Sequence, residues 1–300
     1  MNELYYSFNN YLKTRFPHDK VRKIPVSAGF PCPNKDGRIS NQGCLFCDEY
    51  GAGPIGAKQK SISQQIASFI EARPGCKYIA YYQAHCNTYA PLGILRRRYE
   101  IIFDFPDVVG LFIGTRPDAI ESATYPLFKE LQQRTYLSVE LGLQSIHEKS
   151  LRWLNRNHSY TQFLDTYKRL KSNGIPVIVH LIVGIPGESL EDMKQTISEM
   201  NRIQPAGVKI HLLHVLKNTP MEKMYRQNRL PMISLQQYAE TVATLLERLD
   251  PGIVIHRLTG EREKSLFLAP EWALDKSKTL AAIRGVLKRR GTHQGAGIET

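Results

Sequence analysis

The stretch Ala28-Gly-Phe-Pro-Cys-Pro-Asn-Lys-Asp-Gly-Arg-Ile-Ser-Asn-Gln-Gly-Cys-Leu-Phe-Cys47 decides how this chain is organised, because it holds three of its five cysteines. Cys44 and Cys47 form a C-x-x-C pair, and Cys32 precedes them by eleven intervening residues. Proline, glycine and asparagine are frequent in this segment, and they favour turns over helix or strand. The stretch is therefore expected to be a loop that folds back on itself and brings the three thiols together.

A loop of this kind can hold an iron–sulfur cluster or a zinc ion, because soft sulfur ligands suit both. Closed structural sites of either kind normally use four protein ligands, so three cysteines leave one metal position open for a substrate or cofactor. The alternative is a structural zinc site completed by His18 or His85. The two remaining cysteines, Cys76 and Cys86, are expected to be buried or incidental.

Length and composition describe a globular chain that works in a reducing compartment. The 300 residues with 42% hydrophobic content suffice for one large or two small domains with buried cores. No stretch approaches the roughly 20 apolar residues of a membrane helix, and the N-terminus lacks the pattern of a signal peptide. An odd number of cysteines in such a chain favours reduced thiols and a metal site over disulfides. We expect a cytoplasmic protein without membrane contact.

The chain is strongly basic, with a formal net charge of +12 and a pI near 9.4. Positive charge is concentrated between Lys13 and Lys23, in Arg96-Arg97-Arg98, and from Lys276 to Arg290. A field of this sign favours encounters with polyanions such as RNA. The simpler alternative is that these residues form solvated helix faces that keep the protein soluble.

Helical and strand patterns alternate after the cysteine loop. Six or so strands, most of them apolar on both faces, are separated by helices of about 10 to 15 residues, which predicts parallel pairing with right-handed crossovers. The predicted strands lie at 21–26, 78–82, 108–114, 136–141, 175–183 and 208–213. The fold class is therefore α/β, a partial (β/α)6 TIM-type barrel in residues 1–215 that includes an N-terminal helix. Residues 216–300, with a last strand at 253–258, are expected to form a largely helical extension that closes the barrel.

Polar residues follow each predicted strand, where the loops of such a fold converge on one mouth. They could equally be satisfied strand ends or ordinary strand-to-helix turns. The histidines are expected to form hydrogen-bonded site walls and not to bind metal. The candidates are Gln83 and Asn87, Thr115-Arg-Pro-Asp118, Glu140 with Gln144 and Ser145, Gly184-Ile-Pro-Gly-Glu188, and His180, His211 and His214.

Five of these motifs, in this order, resemble those of radical S-adenosylmethionine (SAM) enzymes. They are the cysteine loop, Phe46 before its last cysteine, Gly114-Thr-Arg-Pro-Asp118, Glu140-Leu-Gly-Leu-Gln-Ser145 and His180-Leu-Ile-Val-Gly-Ile-Pro-Gly-Glu188. More narrowly, the chain is similar to small bacterial proteins related to the radical-SAM domain of the Elongator catalytic subunit. In that group the spacer between the first two cysteines is longer than usual. The resemblance covers roughly residues 20–260 and implies a partial barrel of the radical SAM kind.

The resemblance also implies roles for individual residues. Cys32, Cys44 and Cys47 would ligate three irons of a [4Fe-4S] cluster, and the fourth iron would take the amino and carboxylate groups of SAM. The implied SAM contacts are Phe46, Ile182 and Gly184 at the adenine, Glu140 with Gln144 and Ser145 at the ribose, and Gln83 at the methionine ammonium. At this last position family members usually carry a Gly-Gly-Glu-like motif, which this sequence lacks.

The implied activity is reductive cleavage of SAM to a 5′-deoxyadenosyl radical that activates a C–H bond. Such cleavage needs a low-potential electron source in contact with the sulfonium and a site that excludes water. A flavodoxin or ferredoxin is the expected electron donor. The substrate suggested by the Elongator-like relatives and by the charge is tRNA, at carbon 5 of a wobble uridine. The alternatives are a small metabolite or peptide substrate, or a zinc-stabilised RNA-binding module without catalysis.

Overall fold

The computed structural model describes residues 3–51, 53, 59–260 and 262–298. The strands are β1 (Val21–Val26), β2 (Lys77–Tyr82), β3 (Val108–Thr115), β4 (Tyr136–Gln144), β5 (Val177–Val183), β6 (Gly207–Leu212), β7 (Val215–Leu216), β8 (Val254–Arg257) and β9 (Phe267–Ala269). The helices are α1 (Phe8–Arg15), α2 (Ile62–Glu71), α3 (Leu92–Glu100), α4 (Thr124–Arg134), α5 (Glu148–Trp153), α6 (Tyr160–Ser172), α7 (Leu190–Ile203), α8 (Pro220–Arg226), α9 (Leu235–Glu247) and α10 (Lys276–Arg290).

The described residues form a seven-stranded sheet in the order β1-β2-β3-β4-β5-β6-β8, and every neighbouring pair is parallel. The short strands β7 and β9 pair separately and antiparallel. The sheet is curled, so that its two edges approach each other. Nζ of Lys23 on edge strand β1 lies 3.4 Å from Nδ1 of His256 on the opposite edge strand β8. The predicted α/β partial barrel is confirmed. The strand predicted at 253–258 joins the barrel sheet as β8 and so extends it beyond six strands.

Alternation along the strands separates an outer core from the barrel interior. On β4, for example, Leu137, Val139 and Leu141 belong to the large core under the helices, whereas Glu140 faces inward. At the amino ends of the strands an apolar floor closes the barrel, and α1 covers that floor from outside. The floor consists of Ile79, Phe112, Ile178 and Val254, packed against Phe8 and Leu12 of α1. Water and ligands therefore enter from the carboxyl ends.

Serine N-caps fix where several barrel helices begin. Ser159 starts α6 and Ser189 starts α7, each in a capping box with the side chain three residues later. The carboxylate of Asp118 accepts hydrogen bonds from Nε and Nη2 of Arg116 at 2.9 and 2.7 Å. A 3-10 turn occupies Pro117–Ala119, and α4 starts only at Thr124.

The C-terminal part is held firmly against the barrel. Helix α10 packs on α9, and Gln294 donates to the carbonyls of Asp250 and Ile253 while accepting from the backbone of Tyr6. No helix within the described ranges is both long enough and apolar enough to span a membrane.

Candidate active site

A cavity of about 220 Å³ lies at the carboxyl ends of the barrel strands. Strands β3, β4 and β6 reach it with their last residues, and the cysteine loop that follows β1 forms one of its walls. Eight of the ten predicted site residues line it, namely Cys32, Cys44, Phe46, Cys47, Gln83, Glu140, Gln144 and Ile182. The structure therefore brings together residues that are up to 150 positions apart in the chain.

The cysteine loop folds back on itself as expected. The backbone N–H groups of Lys35 and Asp36 donate to the carbonyl of Cys32, and that of Gly43 donates to Asn34 at 2.7 Å. The fully buried Asn34 is central here, because its Nδ2 donates to the carbonyl of Asn155 at 2.8 Å and approaches Sγ of Cys44 at 3.4 Å. The loop is thus tied to the α5–α6 connection, which holds Cys44 in place.

Two buried guanidinium groups face the thiol of Cys44. Nη1 of Arg156 lies 3.3 Å and Nη1 of Arg116 lies 4.0 Å from its Sγ, and the two side chains belong to residues that are 6% and 3% exposed. Arg116 was within a predicted motif, whereas Arg156 was missed. The only sequence signal for Arg156 was its place between Asn155 and Asn157, which both adopt positive φ and turn the chain inward.

The fourth thiol in the cavity belongs to Cys86. It is 1% exposed, as predicted, but its Sγ lies 3.6 Å from Sγ of Cys32 and it lines the cavity. The hydrogen bond from Cys86 lowers the pKa of Cys32 to about 6, aided by Arg116 and Arg156, whereas burial raises the pKa of Cys47 to about 11. Among the described side chains, no three of His, Cys, Asp and Glu converge on a position for a single metal ion.

Glu140 lines the inner end of the cavity, but its carboxylate is already engaged. Oε1 lies 3.5 Å from Nζ of Lys23, and Oε2 accepts from Nε2 of His180 at 2.7 Å and from Lys209. Burial alone would raise the pKa of Glu140, yet Lys209, Lys23 and His180 outweigh burial and place the pKa well below its ordinary value. The carboxylate is ionised, and through these three side chains it connects β4 to β1, β5 and β6. Its assignment to a ribose remains a prediction.

Three histidines form the wall on the β5 and β6 side. Burial lowers the pKa of His180 and of His214 to about 4, and it lowers the pKa of His211 well below the usual value. All three rings are therefore neutral at pH 7. His180 is bonded to Glu140, and Nδ1 of His214 lies 3.1 Å from the carbonyl of Leu212. These two are hydrogen-bonded site walls, as the sequence analysis predicted.

The remaining candidates differ in whether they reach the cavity. Gln144 ends β4 with φ +82° and lines it. Ser145 and Gly184 are not among its lining residues: Ser145 donates to Glu188, and Gly184 adopts φ +91°, which suits the turn after β5. Asn87 is fully buried and donates to the carbonyls of Tyr82 and Gly114, so it joins the ends of β2 and β3.

Comparisons with known proteins agree with this geometry. Residues 35–200 match the family model of the radical SAM superfamily, and residues 205–289 match that of the radical SAM C-terminal domain. The chain is 37% identical over 298 residues to the uncharacterised protein YtqA of Bacillus subtilis, covering 97% of this chain and 92% of YtqA. It is 31% identical over 141 residues to the tRNA uridine(34) acetyltransferase of Methanocaldococcus infernus, which covers 45% of this chain and 25% of that protein.

Among solved structures, the Elongator protein Elp3 of M. infernus, lacking residues 1–46, superposes with a TM-score of 0.69 at 18% identity. The match covers 92% of this chain and 64% of that one, and it shows the shared fold. The match to the superfamily model spans more than half of the chain. The chain also combines the cysteine loop, the cavity at the barrel mouth and the strand-end motifs. The chain belongs to the radical SAM superfamily, whose enzymes use a [4Fe-4S] cluster and SAM.

Proposed function

We propose that this protein holds a [4Fe-4S] cluster through Cys32, Cys44 and Cys47, cleaves SAM reductively, and acts on a nucleotide of tRNA. The observation that carries the proposal is that three thiols from one loop face a single cavity at the mouth of the partial barrel. With three ligands, one iron stays open to a second molecule, as SAM cleavage requires.

The donor set fits an anionic cluster. Arg156, Arg116 and Asn34 all direct N–H groups at Sγ of Cys44, and Cys86 supplies a hydrogen bond to Cys32. N–H and S–H groups around thiolate sulfur stabilise its negative charge and tune the cluster potential. Neutral cysteines packed in an apolar core would not need two buried guanidinium groups beside them. This surrounding therefore favours a thiolate-bound group over unligated thiols.

The proposed SAM contacts follow from where the structure places the side chains. Phe46 and Ile182 are apolar lining residues suited to the adenine, and Gln83 and Gln144 offer amide groups for the polar parts of the cofactor. When bound, the cluster and SAM supply the electron and the 5′-deoxyadenosyl radical. The protein contributes binding, orientation and exclusion of water by the closed barrel floor. Ser145 and Gly184 contribute by shaping the turns after β4 and β5, and a flavodoxin or ferredoxin would supply electrons.

A tRNA substrate is supported by the chain's charge, its similarity and its cavity. The net charge of +12 favours a polyanion, and a similar protein is named for its action on tRNA uridine 34. The cavity of about 220 Å³ at the barrel mouth is far too small for a folded RNA. The reacting nucleotide would therefore have to leave its stack and enter the barrel mouth, as in other enzymes that do chemistry on a base.

The test begins with protein purified and reconstituted without oxygen. Iron and sulfide bound to a brown protein, and 5′-deoxyadenosine formed from SAM on reduction, are the expected results. A colourless protein that binds zinc would instead indicate the RNA-binding module without catalysis. Mass spectrometry of nucleosides from tRNA of a deletion strain should then show one modified uridine missing or arrested. Unchanged nucleosides, together with SAM cleavage stimulated by a small metabolite or peptide, would contradict the tRNA substrate.

A further inference from the structure

We infer that the body of the tRNA rests on a basic surface beside the cavity mouth, which we call the rim surface. It consists of the exposed residues Lys217, Lys223, Tyr225, Arg229 and Lys264. This inference rests on the proposed function and names where the RNA outside the reacting nucleotide binds. Because the cavity is far too small for a folded RNA, that part of the substrate has to lie on the protein surface around the mouth.

The strand pair β7 and β9 holds one part of the rim surface at the mouth. Lys217 directly follows Leu216, which lines the cavity. The backbone N–H of Lys217 donates to the carbonyl of Leu266 at 2.8 Å, and that of Phe267 donates to the carbonyl of Lys264 at 3.2 Å. The turn that carries Lys264 is thus held alongside Lys217, and both lysines are exposed next to the cavity wall.

Helix α8 continues the rim surface along the cysteine loop. Met221 in its first turn is fully buried, and its backbone N–H lies 3.4 Å from the carbonyl of Leu45. Tyr225 follows one turn later on the same face and is 36% exposed, so this face leaves the core there. The chain then reverses, and the backbone N–H of Arg229 donates to the carbonyl of Met224 at 2.9 Å, which places Arg229 beside the end of α8.

The positive charge of the rim surface is not used within the protein. Residues 215–230 contain four basic residues and one acidic residue, Glu222, which is paired with Arg226 at 2.8 Å. Glu263 is the acidic residue next to Lys264, so basic residues still predominate. Over the ranges that the structure describes, none of the four cations of the rim surface forms an ion pair with a carboxylate. They are Lys217, Lys223, Arg229 and Lys264.

This combination of cations and an aromatic ring fits RNA. Cations without a carboxylate partner are free to replace the counter-ions of phosphates, which makes binding favourable and dependent on salt. The exposed ring of Tyr225 lies among these cations and offers a flat face on which an unpaired base can stack. Helix α10 differs in this respect, because its Arg289 and Arg290 are already paired with Glu240.

The competing occupant is an acidic electron-transfer protein, which a basic surface would also attract. The test therefore follows the binding of RNA and reduction by flavodoxin separately. The rim variant combines Lys217→Gln, Lys223→Gln and Arg229→Gln. Its matched control removes three exposed cations from the outer helices α4 and α6, through Lys129→Gln, Lys168→Gln and Arg169→Gln.

The RNA probe is an unmodified tRNA transcript with uridine at the wobble position. We expect the rim variant to reduce the slope of log K against log salt by about 2 to 3, because three phosphate contacts are lost at roughly 0.7 to 0.9 each. The control variant should keep the wild-type slope. Bound iron per chain and SAM affinity should equal those of the wild type in both variants, which shows that the cavity is intact.

Tyr225 is tested by two further variants at a fixed salt concentration. Tyr225→Ala should bind the transcript about 5- to 100-fold more weakly, the usual loss for one stacked base, with an unchanged salt slope. Tyr225→Phe should keep most of the affinity, because the ring is retained.

Three results would overturn the inference. If the wild type binds the transcript and the rim variant has the same slope as the control variant, the RNA lies elsewhere and only the inference fails. If the rim variant binds RNA normally but is reduced more slowly by flavodoxin, the rim surface belongs to the electron donor. If the wild type does not bind the transcript at low salt while SAM is still cleaved, the tRNA substrate fails as well.

Discussion

Nε of Arg262, in the segment after β8, lies 3.0 Å from Oδ2 of Asp48, the residue next to Cys47. The pair is almost fully buried, with 7% and 1% of the two side chains exposed, and Nη1 of Arg262 also donates to the carbonyl of Gly53 at 2.6 Å. The segment that follows the last barrel strand is thereby fastened to the end of the cysteine loop. Arg262 lines the cavity, so this contact also forms part of its wall.

The first prediction follows from this ion pair. Arg262→Ala should lower the free energy of unfolding by about 3–5 kcal/mol, because it leaves a buried carboxylate without a counter-ion. Arg262→Ala combined with Asp48→Asn should recover part of that loss. Urea unfolding of the cluster-free protein measures the free energy of unfolding of the single and the double variant. Arg284→Ala is the control, because Arg284 is exposed. A change below 1 kcal/mol in Arg262→Ala would show that the segment is not fastened in solution.

The second prediction concerns the ligands of the cluster. Replacing Cys32, Cys44 or Cys47 by alanine should abolish the four-iron cluster and all SAM cleavage, because each removes one of three ligands. Cys76→Ala is the matched control and should keep both, since Cys76 is remote from the cavity lining. Iron and sulfide analysis with electron paramagnetic resonance after anaerobic reconstitution gives the answer. Retained cleavage in Cys32→Ala would refute the long spacer.

The third prediction separates Cys86 from the ligands. Cys86→Ala should keep the cluster and shift its midpoint potential to a more negative value, because the thiolate of Cys32 loses the hydrogen bond from a thiol 3.6 Å away. The midpoint potential of Cys86→Ser, which keeps an O–H donor, should lie between those of the wild type and Cys86→Ala. A reductive titration followed by electron paramagnetic resonance measures the potential, again with Cys76→Ala as control. Equal potentials in all variants would mean that Cys86 only fills space.

The fourth prediction concerns Glu140 and pH. In the folded state Lys209, Lys23 and His180 hold the pKa of Glu140 well below the ordinary 4.5, so the carboxylate contributes stability that is present above that pH. This stability is lost as the pH falls through the lowered pKa, because the unfolded chain then takes up the proton first. Glu140→Gln should therefore be less stable at neutral pH by about 3–5 kcal/mol, because Lys23 and Lys209 lose the carboxylate that both contact inside the barrel.

The same variant should also respond less to acid. Between pH 5 and the onset of acid unfolding, the free energy of unfolding should fall less steeply in Glu140→Gln than in the wild type, which denaturant titrations at several pH values would record. The control is Glu191→Gln, whose carboxylate is 68% exposed. If Glu140→Gln keeps wild-type stability but loses SAM affinity, the ribose assignment is correct and the ion-pair role is secondary.

Much of the site was predictable because parallel strands end at one edge of a sheet. Gln83 and Gln144 follow or end different strands, so the α/β pattern alone placed them near the cysteine loop, whereas Ile182 was predicted from the family resemblance. The contact of Arg156 with Cys44 was not predictable, since 112 positions separate them and a loop between two helices has no periodicity. The packing of loops against each other depends on tertiary contacts, which local sequence patterns do not encode.

The ion pairs of Glu140 inside the barrel were not predictable from the sequence. Lys23 follows Arg22 on β1 and Lys209 lies on the mainly apolar β6, and nothing local shows that both lysines point at Glu140. Register decides this, because a shift by one residue would turn either lysine to the outer face. The seventh barrel strand, β8, was predicted as a strand, but its parallel pairing with β6 depends on how α9 returns the chain.

The last prediction concerns the basic helix α10 and RNA. Its positive charge is partly used within the protein, because Arg289 is paired with Glu240, and Arg290 with both Glu240 and Glu247. Lys288 is exposed on the same helix. An arginine already bound to a carboxylate releases fewer counter-ions when a phosphate approaches, so Lys288 should account for most of the salt dependence that Lys288, Arg289 and Arg290 contribute together.

We therefore expect Lys288→Gln to reduce the slope of log K against log salt for tRNA binding by about 0.7 to 0.9, the value for one phosphate contact. Changing Lys288, Arg289 and Arg290 together should reduce it by about 1. Nitrocellulose filter binding at several salt concentrations gives these slopes, and SAM cleavage without tRNA should survive in every variant. A reduction of 2 or more in the triple variant would mean that the ion pairs open on binding. No reduction in either would show that α10 is a solvated face, and the RNA surface would then have to lie elsewhere on this basic chain.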